Sequence, residues 1–111
     1  MADPVWLLVM FDLPVLTKIQ RREETQYRKL LLNHGFDQLQ LSVYSKYLIN
    51  STGVRMILGP VREAIPSEGS VRVFQLTDTQ WASQHRFWGP SQREAEKKPG
   101  ILEFFKTWED D

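Results

Sequence analysis

Seven consecutive apolar residues, Val5-Trp6-Leu7-Leu8-Val9-Met10-Phe11, run into a single carboxylate, Asp12, and are then broken by Leu13-Pro14. An uninterrupted apolar run of this length, bounded by turn residues, predicts a buried central strand. Asp12 then stands where the sheet stops and solvent begins. An unpaired carboxylate there would pay a heavy desolvation cost or be driven neutral, so a partner is expected. That partner is either a cation or a backbone amide of the following turn or helix, since Asp is also a preferred capping residue.

The 111 residues make one domain, large enough for a core and small enough to gain from dimerisation. Lys plus Arg equals Asp plus Glu at 14 each, so no global basic field points to nucleic acid. The absence of cysteine excludes disulfides, thiolate nucleophiles and Cys-ligated zinc. Two histidines, His34 and His85, are too few and too scattered for a His-rich metal site. Any metal is expected to be a hard ion on oxygen ligands, magnesium or manganese. No apolar stretch approaches the ~20 residues of a membrane span. The opening Met-Ala-Asp-Pro lacks the basic region of a secretory signal, so the cytoplasm is the expected compartment.

After the strand at 5–12, Thr17-Lys18-Ile19-Gln20 matches a capping box. It opens a helix carrying Ile19, Tyr27, Leu30 and Leu31 to about His34, with Gly35 placed to end it in a left-handed conformation. Residues 36–48 read as two pieces of strand, and the slip in alternation at Leu41-Ser42 predicts a bulge or tight bend. Asn50-Ser51-Thr52 signals a second helix, with Val54, Ile57, Leu58, Val61 and Ile65 on one face and an expected kink or interruption at Gly59-Pro60. After the turn Pro66–Gly69, residues 71–76 alternate as a strand. The order strand, helix, strand, strand, helix, strand predicts an α+β, ferredoxin-like domain with one antiparallel sheet. One sheet face is then covered by helices, and the other must meet solvent, RNA or a second subunit. Beyond it, Asp78–Trp81 suits a helical turn and His85-Arg86-Phe87-Trp88 a short extra strand. The domain is therefore drawn as 1–90. Residues 91–111 form a charged linker and a short amphipathic tail with Ile101, Phe104, Phe105 and Trp108 at i, i+3, i+4, i+7.

No Ser-His-Asp or Cys-His arrangement and no Gly-rich phosphate loop can be assembled. An RNA-recognition module would share the fold, but Ser42–Tyr47 lacks its glycine and aromatic pattern. Tyr44 and Tyr47 therefore read first as packing residues of the core or of an interface. The basic stretch Lys18, Arg21, Arg22, Arg28 and Lys29, interleaved with Glu23 and Glu24, is either an exposed helix laced with ion pairs or a phosphate-contacting surface. His34 and His85 suit surface or cap positions.

Val9-Met10-Phe11-Asp12-Leu13-Pro14, the basic helix ending at Gly35, Gln40-Leu41-Ser42-Val43-Tyr44 and Leu76-Thr77-Asp78-Thr79-Gln80-Trp81 follow one another in an order that resembles a known family. It is the small CRISPR-associated "Cas-two" family of the spacer-acquisition machinery, in particular its type II members. The resemblance covers about residues 5–88. It implies a ferredoxin-like homodimer in which an extra strand, here His85, Phe87 and Trp88, completes the partner's sheet, with Phe11 and Tyr44 also at the interface. It implies a divalent-metal endonuclease acting on RNA or DNA, with Asp12 of both subunits on a magnesium or manganese ion. It further implies a scaffold role beside an integrase subunit, with Lys18, Arg21, Arg22, Arg28 and Lys29 on nucleic-acid phosphates. Phe104, Phe105 and Trp108 are the expected anchors of the tail on that integrase or on the dimer itself. Gln38 departs from the family pattern, which often carries Arg there.

Overall fold

Every second residue of β1 (Val5–Asp12), namely Val5, Leu7, Val9 and Phe11, is buried, and the intervening Trp6, Leu8, Met10 and Asp12 are half-buried or exposed. The strand thus has one sealed face and one open face, and the rest of the fold follows from that division. The computed structural model of the protein describes residues 3–91.

Helix α1 (Lys18–Asn33) starts with the predicted capping box: Thr17 accepts from the Gln20 amide, and Gln20 reaches back to the Thr17 amide. It ends in a Schellman motif, with Gly35 at φ 85°, Phe36 N–H donating to the Leu31 carbonyl and Gly35 N–H to that of Leu32. Phe36 and Leu31 are both buried, supplying the apolar contact that accompanies this motif. Strands β2 (Asp37–Gln40) and β3 (Val43–Leu48) form a hairpin turning at Leu41-Ser42, with a register shift between Gln38 and Gln40. The expected slip is therefore both a tight turn and a bulge. A 3-10 turn (Ser51–Gly53), capped by Asn50, leads into α2 (Val54–Glu63). Helix α2 runs through Pro60, whose missing amide forgoes one helical hydrogen bond, and both halves stay on one helix as their shared apolar face requires. Then come β4 (Ser70–Thr77) and a short α3 (Asp78–Ala82), the latter opened by a second capping box on Thr77 and Gln80.

The sheet order is β2-β3-β1-β4, all antiparallel neighbours, as the ferredoxin-like βαββαβ arrangement requires. The core lies between the sheet and the two long helices: Leu7, Val9, Phe11 and Leu13 from the first strand and its exit, Tyr27 and Leu31 from α1, Phe36, Tyr44, and Val61 from α2. Gly69 lets the chain turn into β4 close against Leu13, since a Cβ there would push Leu13 Cδ2 aside.

Candidate functional site

Asp12 falls on the open face because it has the parity of Trp6, Leu8 and Met10. It is exposed, at the last residue of β1, and faces Ser70 of β4. The capping alternative is resolved by geometry: Thr17, not Asp12, caps α1. Among the described residues the one ion pair is Arg28–Glu24, and no hydrogen bond involves the Asp12 carboxylate. Nor do the described residues contain a group of three His, Cys, Asp or Glu that could hold a metal, and the register of β1, β3 and β4 puts one carboxylate, Asp12, on their open face.

The residue that sequence reasoning missed is Arg72. It pairs with Met10, two residues before Asp12, and so shares the open face with Asp12 one pleat repeat away. It is exposed. Its signal was present, as the charged position in the alternating Val71–Leu76, but only the β1–β4 register places it beside Asp12.

The α1 cations separate into distinct roles. Lys18, Arg22 and Lys29 lie within roughly 40° of one another around the helix, on the side away from buried Tyr27 and Leu31. All three are exposed, forming an outward basic stripe. Arg21 donates to the carbonyls of Val15 (3.3 Å) and Leu16 (3.1 Å), bracing the loop that follows Asp12. Arg28, expected on phosphate, is instead turned inward. It pairs with Glu24 one turn earlier, donates to the Leu41 carbonyl at the hairpin and to Tyr44 Oη (3.3 Å), and lies 5.2 Å from the Phe11 ring centroid. Burial works to lower the pKa of its guanidinium, but the hydrogen bonds with Glu24 and Tyr44 outweigh this and hold it above the usual range.

Phe11 and Tyr44, expected at a subunit interface, are core residues. They are 7% and 1% exposed, stack with ring centroids 5.8 Å apart and face the helices. The parity of β1 and the hairpin register bring both inward. The apolar surface of the open face comes from other residues: Met10, Tyr47 and Phe74 are exposed there, beside half-buried Leu8, Val43 and Leu76. One end of this face is closed by α3. Trp81 stacks on Trp6 at 4.1 Å and 6°, Trp6 Nε1 donates to Asp78 (2.9 Å), and Tyr47 tilts against Trp6 at 5.1 Å. Residues 85–88, expected as an extra strand, form no regular element within the single chain. His85 and Phe87 are exposed there, and Arg86 lies over the Trp88 ring. The expected tail residues Phe104, Phe105 and Trp108 lie outside the described residues.

Known proteins match this chain over most of its length. The family model for CRISPR associated protein Cas2 matches residues 5–84. A CRISPR-associated endoribonuclease Cas2 of Paracidovorax avenae is 39% identical over 91% of this chain and 94% of its own. That of Flavobacterium psychrophilum is 33% identical over 91% and 88%, and that of Parvibaculum lavamentivorans 30% identical over 91% and 100%. A crystal structure of Streptococcus pyogenes Cas2 at pH 6.5 superposes with a TM-score of 0.59, covering 76% of this chain and 99% of that one at 21% identity, a likeness of fold. The chain belongs to the CRISPR-associated Cas2 family.

Proposed function

We propose that this chain is a CRISPR-associated endonuclease that hydrolyses phosphodiester bonds in RNA or DNA, and that it works as a homodimer with Asp12 at the centre of the chemistry. The carrying observation is Asp12 itself: an exposed carboxylate at the end of the central strand, on an apolar face, not engaged in capping. The designation of its relatives as endoribonucleases supports the reaction class.

The residues fit a magnesium or manganese ion in one arrangement. A single chain offers one carboxylate, and such an ion keeps several waters and takes one or two carboxylates. Two copies meeting through their open faces would present two Asp12 side chains. A bound ion would supply an acidified water and offset charge on the phosphate. The protein's own contribution is to hold the carboxylates on rigid strand ends, to offer Arg72 as a donor to the phosphate from the same face, and to exclude water with Met10 and Phe74.

The test is cleavage of RNA and DNA by Asp12→Asn with magnesium or manganese present. Cleavage should vanish while the far-ultraviolet spectrum, melting temperature and dimer persist. Full cleavage by the purified variant would overturn the assignment.

A second reading is favoured by the Lys18–Arg22–Lys29 stripe, which faces outward on the opposite side of the sheet from Asp12. It suits contacts to the phosphates of a duplex, as a scaffold beside an integrase subunit would need. Retained duplex binding by Asp12→Asn would show that binding and cleavage use different surfaces.

A further inference from the structure

Beside the outer strand β4, the helix face of the sheet is not fully closed. A groove of about 680 Å³ runs between α2 and β4, floored by Leu58, Ile65, Val71 and Val73, with Arg55 and Arg62 among its lining residues. The two arginines are seven residues apart on α2, two turns along one side, and both are exposed. Neither has an ion-pair or hydrogen-bond partner among the described residues. Val73, though it points to the helix side of the sheet, is still 37% exposed. The groove is thus apolar along its floor and cationic at its lip, and it calls for an apolar segment carrying carboxylates.

We infer that the carboxyl-terminal segment of this same protein, residues 101–111, docks in the α2–β4 groove. The sequence Ile101-Leu102-Glu103-Phe104-Phe105-Lys106-Thr107-Trp108-Glu109-Asp110-Asp111 has the required chemistry. Wound as a helix it would place Ile101, Phe104, Phe105 and Trp108 on one face, with Glu109 and Asp111 on either flank of that face. It carries four carboxylates against one lysine, the complement of a lip bearing two arginines. Length allows it. Residues 92–100 can span ~30 Å when extended, more than the ~27 Å of the eight-residue β4. Docking buries the aromatic face and the groove floor together. The inference is independent of the nuclease reading, since no groove residue lies on the open face with Asp12.

The cysteine-free sequence permits a direct test. Asp110→Cys in the full chain is coupled to a nitroxide, and amide signals are compared before and after reduction of the label. The expected result is loss of the Arg55, Leu58, Arg62, Val71 and Val73 amide signals, with the amides of β2 unaffected. Adding Phe105→Asp to the labelled chain should restore those signals, as should Arg55→Glu with Arg62→Glu. Mixing labelled unenriched chain with unlabelled enriched chain distinguishes docking within one copy from docking onto a second; either satisfies the inference. Broadening absent, spread evenly over the surface or centred on the open face would overturn it, as would loss that persists in Phe105→Asp.

Discussion

Replacing Tyr27 by Phe removes a single oxygen, and the structure fixes what that oxygen does. Tyr27 is 2% exposed, and its hydroxyl donates to the Val61 carbonyl at 3.0 Å. Val61 sits in the last turn of α2, where carbonyls lack helical partners. The amide of Ile65, four residues on, turns to the Arg62 carbonyl instead. The Tyr27 hydroxyl therefore caps α2 from α1, and Tyr27→Phe leaves a buried carbonyl unpaired. Such a loss costs about 1–3 kcal/mol. With an m-value of about 1–3 kcal/mol/M, the urea midpoint at neutral pH should fall by roughly 0.5–2 M. A second signature follows from burial, which pushes the Tyr27 phenol up to about 12. Because the folded-state value is raised, stability is complete below the unfolded value near 10. It is then lost at up to about 1.4 kcal/mol per pH unit until the pH passes the folded value. The Tyr27→Phe variant has no proton to lose at this position, so the gap between wild type and variant must narrow above about pH 10. Tyr44 and Tyr47 are common to both proteins and cancel. The assay is urea unfolding followed by far-ultraviolet circular dichroism across neutral to alkaline pH. A midpoint shift under about 0.2 M at pH 7, or a gap that stays constant through the alkaline range, would refute the capping role.

Other consequences are equally concrete. Replacing Lys18, Arg22 and Lys29 together by Ala should lower the magnitude of the salt slope of duplex binding by about 2–3, at ~0.9 per phosphate contact; an unchanged slope in a titration series would remove the stripe from the binding surface. Arg72→Ala should reduce kcat/KM for cleavage about 10- to 100-fold, the equivalent of one lost charge-assisted hydrogen bond, with Arg72→Lys intermediate; wild-type kinetics would take Arg72 out of the site. Phe74→Asp, which puts a charge on the open face, should yield monomer by light scattering at micromolar concentration, and an intact dimer would mean that subunits meet elsewhere.

The parts legible in the sequence are those decided locally. Both ends of α1 were readable because Thr17, Gln20 and Gly35 act within one turn of themselves, and the slip at Leu41-Ser42 marked the hairpin for the same reason. Phe11 turns inward by strand parity: neighbours in a strand cannot both face the open side, and the alternation of β1 gives that side to Asp12. Arg28 likewise carried a local clue, Glu24 four residues earlier, but its donation to the Leu41 carbonyl depends on where the hairpin packs. Arg72 could not be read at all without knowing that Met10 pairs with it across sixty-odd residues of chain. The stack of Trp81 on Trp6 is of the same kind, two residues joined only by the return of β4 along β1.

The two faces of the sheet differ in how far a single chain completes them. On the helix side, the buried polar groups find partners within the chain: the Tyr27 hydroxyl takes the Val61 carbonyl, and Arg28 is held by Glu24, Leu41 and Tyr44. No buried side-chain nitrogen or oxygen among the described residues is left unpaired. On the other side, Met10, Tyr47 and Phe74 remain exposed around a carboxylate and an arginine that do not answer each other. Scattered apolar surface needs no explanation, but a contiguous apolar face on a sheet, bearing a charged pair at one end, marks an interaction surface. A partner that brought no cation or hydrogen-bond donor there would leave Asp12 buried and uncompensated, at a cost of several kcal/mol. A second copy, related by a two-fold axis, would bring its own Asp12 and Arg72 with its own Met10 and Phe74, so that one contact covers the apolar surface and assembles an oxygen-ligand site together. In the proposed arrangement, with one Asp12 from each copy on the ion, cleavage would depend on association. Nuclease activity should fall with dilution along the monomer–dimer curve, and activity that is linear in protein concentration well below the dimer dissociation constant would break that link.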